Sequence, residues 1–79
     1  MRARVFVTLK PSVFDPQGSV VSEALHTLGY ADVQDGRQGK YFELELDATD
    51  RDAAQARVAE MAGKLLANPV IESYRVEVL

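Results

Sequence analysis

KLLANPVIESYRVEVL, residues 64–79, closes a helix and opens a strand within a few positions. Leu65 and Leu66 end an apolar helical stripe, and Asn68-Pro69 stop it, because proline has no N–H to continue the helix. From Ile71 onward the residues alternate. Tyr74, Val76 and Val78 fall on one face, and Ser73, Arg75 and Glu77 on the other, the pattern of a half-buried strand. Nothing in the stretch is a nucleophile, a metal ligand or a phosphate cradle. What it offers is shape.

Upstream, Thr49 or Asp50 can cap the helix that ends here, and Asp52 places a negative charge in its first turn. Ala54, Val58, Met61, Ala62, Leu65 and Leu66 form its apolar face. Gly63 lies inside it and weakens it by ~1 kcal/mol relative to alanine, so this helix depends on packing more than on propensity. At the other end of the chain, Ala3, Val5, Val7 and Leu9 alternate with Arg2, Arg4, Phe6 and Thr8, a strand over 2–9 that Lys10-Pro11-Ser12 ends. Asp15-Pro16 then starts a helix. The carboxylate caps the free amides, and proline fits the first helical position. Val20, Val21, Ala24, Leu25 and Leu28 share one face, and Gly29 supplies the left-handed residue that closes the helix.

Between the helices, Tyr41, Glu43 and Glu45 alternate with Phe42, Leu44 and Leu46 in a clean strand. Val33–Gln38 also reads as extended, interrupted by Gly36 and Gly39. The segment 33–47 is either a hairpin turning near Gln38-Gly39 or, the favoured reading, one long strand bent or split there. The order strand–helix–strand(s)–helix–strand specifies an α+β two-layer sandwich, an antiparallel sheet with two helices on one face, ferredoxin-like or close to it.

Seventy-nine residues make a single domain, 1–79. A chain this short buries only ~60–65% of the surface its unfolded form exposes, so burial against another chain is the usual remedy. It has no cysteine, which removes disulfides and thiolate metal sites. With net charge −3 and interspersed signs there is no electrostatic drive toward nucleic acid. No apolar run approaches the ~20 residues of a membrane span, and MRARVFVTLK lacks the apolar core of a signal peptide. A soluble, cytoplasmic protein is expected.

Candidate chemistry is sparse. His26 sits off the apolar stripe of its helix with no partner in view for general-base work. Asp32, Asp35, Glu43, Glu45 and Asp47 follow no metal-loop spacing; Glu43 and Glu45 instead suit cross-strand ion pairs with Arg4 and Arg75. Gly36-Arg37-Gln38-Gly39-Lys40 joins two glycines to two cations but lacks the strand–loop–helix setting of a phosphate loop. The sheet face carrying Phe6 and Tyr41 is the best candidate for an interaction surface.

Three ordered motifs, LKPSVFDPQG at 9–18, RQGKYFELEL at 37–46 and KLLANPVIESYRVEV at 64–78, resemble the PurS family of phosphoribosylformylglycinamidine (FGAM) synthase subunits over essentially the whole chain. Two departures stand out: Gly36 replaces an apolar residue, and Ala62-Gly63 replaces a cysteine–glutamate pair. The resemblance implies a small non-catalytic subunit of a glutamine-dependent ligase in purine biosynthesis. It would act as a homodimer or higher oligomer, bridging the synthetase subunit PurL and the glutaminase subunit PurQ and helping ammonia pass between them. The complex would use ATP and Mg, with no cofactor, metal or catalytic residue on this chain. Arg37, Lys40 and Tyr41, projecting from a glycine-flanked segment, are the partner-contact candidates. The competing expectation is a ferredoxin-like regulatory module that binds a small metabolite at a dimer interface.

Overall fold

In the computed structural model, which describes residues 1–79, the chain runs β1 (Arg2–Leu9), α1 (Pro16–Thr27), β2 (Gly39–Glu45), α2 (Arg51–Met61), a π-helical turn (Ala62–Leu66) and β3 (Glu72–Val78). The sheet is three-stranded, in the order β2-β1-β3, and antiparallel throughout. This is the expected α+β class, an antiparallel sheet with two helices. Val5 pairs with Phe42 on one side and Val76 on the other, which puts Ala3, Val5, Val7, Phe42, Leu44, Tyr74, Val76 and Val78 on one face. Arg2, Arg4, Phe6, Tyr41, Glu43, Glu45, Arg75 and Glu77 occupy the other.

Helix α2 packs on the apolar face across β1 and β3. Its Ala54 and Val58, with Ala62, meet Ala3, Val5 and Val7, all fully buried. Asp50 caps it by accepting from the Ala53 amide at 3.3 Å. The weakness expected at Gly63 takes a definite form: the last turn widens to π geometry, with the Ala67 amide bonding to the Ala62 carbonyl. That extra residue rotates the end of the stripe. Leu66 packs against the core, whereas Leu65, expected beside it, stands in solvent.

The remaining layer is bare. Asp15 caps α1 and Gly29 closes it at φ 103°, as the sequence indicates. The helix nevertheless packs little on its own sheet: its inner side, at Gly18 and Ser22, lies against Gly36, and His26 meets Val33, which leaves Val20, Val21 and Leu28 exposed. The middle segment also differs from expectation: the strand begins at Gly39, and 31–38 has no sheet partner. The molecule is elongated, 48 × 25 × 14 Å, with a radius of gyration of 15.6 Å, against about 12 Å for a compact chain of this length.

Candidate functional site

The open sheet face gathers most of the side chains that could recognise a partner. Phe6 of β1 lies between Tyr41 of β2 and Arg75 of β3 in register. The Phe6 and Tyr41 rings are 5.1 Å apart, tilted by 42°, and the Arg75 guanidinium sits 4.4 Å above the Phe6 ring. Such tilted aromatic and cation–π contacts hold their members without saturating their outer surfaces. The Tyr41 hydroxyl donates to Glu43 at 2.7 Å. That bond, with burial and the Glu43 charge, raises the phenol pKa above its ordinary 10.0.

Beside this row, Arg4 stands in register between Glu43 and Glu77. The expected cross-strand ion pairs form elsewhere: Arg2 meets Glu45 at 3.5 Å, while Arg75 turns along its own strand to Glu77 at 2.5 Å. The Nε of Arg4 is shielded from solvent with no hydrogen-bond partner. The face is therefore a ladder of alternating charges around one aromatic pair, a wettable surface and not an apolar one.

The glycine-flanked segment belongs to a different place. Arg37 forks onto two carbonyls, donating to Val13 at 2.8 Å and to Pro11 at 3.0 Å. Lys40 projects on the helix side of the sheet, 3.5 Å from both Glu72 and the Leu66 carbonyl. The structure thus puts Tyr41 on the open face, Lys40 on the opposite face and Arg37 at the foot of α1. Both cations are engaged by the chain's own oxygens, which leaves no cradle for an anion. His26 is exposed and its Nε2 contacts the Val33 carbonyl.

Two features escaped the sequence reading. Arg75 over Phe6 depends on cross-strand register, which periodicity does not give. Asp15, read only as a helix cap, has a second task. One oxygen accepts from Gly18 at 2.9 Å, and the other from the Gln38 amide at 2.8 Å, twenty-three residues away. These amides, Gln38 first, hold its carboxyl below the usual carboxylate range. Two depressions of about 200 and 260 Å³ flank this point and are lined mainly by polar side chains. A larger, shallow one of about 340 Å³ opens beside Val20 and Val21 of α1.

Two edges of the sheet are unequal. The outward carbonyls of β3 at Val78 and Val76 accept from Arg51, at 2.8 Å, and Gln55, at 3.4 Å. The outward backbone of β2 at Tyr41 and Glu43 has no such cover.

Residues 2–79 match the family model PurS, described as phosphoribosylformylglycinamidine (FGAM) synthase. A relative from Bacillus subtilis, the phosphoribosylformylglycinamidine synthase subunit PurS, is 56% identical over 77 residues, covering 98% of this chain and 90% of its own. The solved structure of B. subtilis PurS superposes with a TM-score of 0.82 at 55% identity, covering 96% of this chain and 94% of that one. PurS of Methanocaldococcus jannaschii, described as one of the subunits of formylglycinamide ribonucleotide amidotransferase in the purine biosynthetic pathway, gives 0.85 at 33% identity, covering 96% and 92%.

Proposed function

The chain belongs to the PurS family of FGAM synthase subunits, which serve purine biosynthesis, and on that premise we propose that it is a non-catalytic bridge in that complex. It acts as a homodimer that docks the synthetase subunit PurL to the glutaminase subunit PurQ, so that ammonia released at one site is captured at the other. Holding the two sites together raises the effective concentration of an intermediate that water would otherwise dilute.

The observation that carries this reading is the surface left uncovered. The chain exposes 5633 Å², whereas a compact chain of 8.7 kDa exposes about 4,700 Å². The excess, roughly 900 Å², is close to the ~800 Å² that each partner contributes to a standard interface. Its location supports exchange between two copies. A ferredoxin-like sheet places a fourth strand on the free edge of β2 and a second helix over Phe42 and Leu44. Residues 33–38 and α1 have those characters but lie too far from their own sheet to fill either place. A second copy supplies both, and receives both in return.

Exchange commits the apolar side of the sheet and leaves the Phe6–Tyr41–Arg75 face for the other subunits. Tyr41 contacts a partner there directly. Arg37 and Lys40, at the foot of α1 and on the opposite face of the sheet, lie outside that docking surface and on the side committed to the second copy.

The test is glutamine-dependent FGAM synthesis by cognate synthetase and glutaminase, with and without this chain. The bridging role requires activity that appears only on addition, while synthesis from free ammonia proceeds without it. Equal glutamine-dependent activity in its absence would defeat the proposal.

A further inference from the structure

Two segments leave the sheet side by side at the foot of α1: residues 10–15, outgoing from β1, and 36–38, returning to β2. They are cross-linked by side chains. Asp15 bonds forward to Gly18 and across to the Gln38 amide. Arg37 bonds back across to the Pro11 and Val13 carbonyls, and Gln38 donates from its side chain to Gln17 at 2.9 Å. Backbones touch where no side chain could intervene: a Cβ on Gly18 would lie 2.2 Å from the Gly36 carbonyl oxygen.

We propose that this clasp is the positioning device that holds α1 out from its own sheet, so that the helix is offered to a second copy instead of folding back. The inference rests on the exchange proposed above and names what enforces it. The joint has no slack. On the outgoing side the Lys10 amide still bonds to the Ile71 carbonyl, prolonging the β1–β3 ladder, and the next residue, Pro11, already accepts from Arg37. Proline also fixes its own φ. On the returning side Gln38 is held by Asp15, and Gly39 is already the first residue of β2. With no unconstrained residue between clasp and sheet on either side, the direction of α1 is inherited from the strands. A fold-back that laid Val20, Val21 and Leu28 on Phe42 and Leu44 would have to break the carboxylate and guanidinium bonds first. Bonds of this charged kind are stronger than neutral ones.

The chain has no native cysteine, so two labels placed at Thr27→Cys and Thr49→Cys report the direction of the arm. β2 carries the chain away from the clasp, so an extended α1 puts the labels at opposite ends of the molecule, and a folded-back α1 brings them together. Doubly labelled chain is mixed into excess unlabelled chain so that only the intrachain distance is read, and sedimentation equilibrium gives the dimer dissociation constant. The expected result is a single long distance and a dimer for the native clasp. In Asp15→Ala/Arg37→Ala a short-distance population should appear, with dimerisation at least ~10-fold weaker. A single long distance and an unchanged dissociation constant in that variant overturn the inference. A native chain that is monomeric with a long distance removes the exchange reading alone, since the variant's distance still judges the clasp. Should the double variant not fold, Gly18→Ala reads the same quantities: it favours the helix by propensity but wedges the joint, so a shift to short distances supports the clasp and its absence refutes it.

Discussion

Leu28→Ala measures whether the α1 stripe is covered in the working protein. In the single chain Leu28 is 73% exposed, so removing three carbons there costs the lone fold almost nothing. In an exchanged dimer the same carbons are buried. At ~0.8 kcal/mol per carbon, with about three quarters of the side chain newly covered, the loss is ~1.8 kcal/mol per copy. A two-fold assembly uses every contact twice, so the dimer loses about 3.6 kcal/mol. That is roughly a 400-fold rise in dissociation constant. Sedimentation equilibrium over a concentration series reads it directly, with far-UV circular dichroism confirming that the helix persists. An unchanged dissociation constant would refute the reasoning, because it would leave the stripe exposed in the assembly too.

Val5→Ala perforates the fully buried centre of the sheet under α2 and should cost ~2–3 kcal/mol, a large share of the ~4–12 kcal/mol expected for this length; urea denaturation at fixed protein concentration measures it. Asp15 has a folded pKa below its ordinary 3.8, so its contribution is complete above that value and is lost as pH falls through the lower folded value. Acid unfolding should therefore be less steep in Asp15→Asn, and identical profiles would contradict the assignment. Tyr41 has a pKa raised above 10.0, so its contribution is full below pH 10 and lost as pH rises through the folded value. Ultraviolet titration at alkaline pH should show a late phenol that disappears in Tyr41→Phe. Arg51→Ala uncovers the Val78 carbonyl on the β3 edge and should produce species larger than the parent oligomer by light scattering, because a bare edge invites another strand.

Most of the elements were legible in the sequence because they are written in local rules. Asp15-Pro16 and Gly29 bound α1 through cap chemistry, and the alternation of 2–9, 41–46 and 72–78 gives three strands with the faces observed. What periodicity could not give is whether an apolar stripe finds its complement in the same chain. Val20, Val21, Ala24, Leu25 and Leu28 form a correct amphipathic stripe; the sequence states that it must be buried, and not by whom. Val33–Gln38 is the same case in strand form, extended but unpaired. The turn at Ala62–Leu66 was half visible, since Gly63 marked the weak point but not the widening that turns Leu65 outward. The open sheet face was legible at Phe6 and Tyr41, which alternate on one side, and the stacking of Arg75 on Phe6 was not, because register fixes it. At the foot of α1, the second bond of Asp15 was illegible because its partner is twenty-three residues distant.

The unequal treatment of the two sheet edges bears on the exchange proposed above. A core of small residues, with no leucine, isoleucine or phenylalanine fully buried, cannot support a free-standing domain with margin, and an exposed stripe and an open edge are the ordinary ingredients of aggregation. Here one edge is partly blocked: Arg51 and Gln55 occupy the outward Val78 and Val76 carbonyls of β3 from the helix packed beside it, which favours strand addition at β2. If the strand that arrives at β2 brings its own α1 with it, both unsatisfied surfaces of the receiving copy are covered in one event, and the donor's are covered by the reciprocal arrangement. A two-fold exchange then closes after two chains, because each copy's donated elements are used up in the reciprocal contact. The clasp proposed at Asp15 and Arg37 would make that outcome directional by denying the chain its own solution. The charged ladder of the opposite face is wettable and paired at Arg2–Glu45 and Arg75–Glu77, so it can stay exposed at little cost.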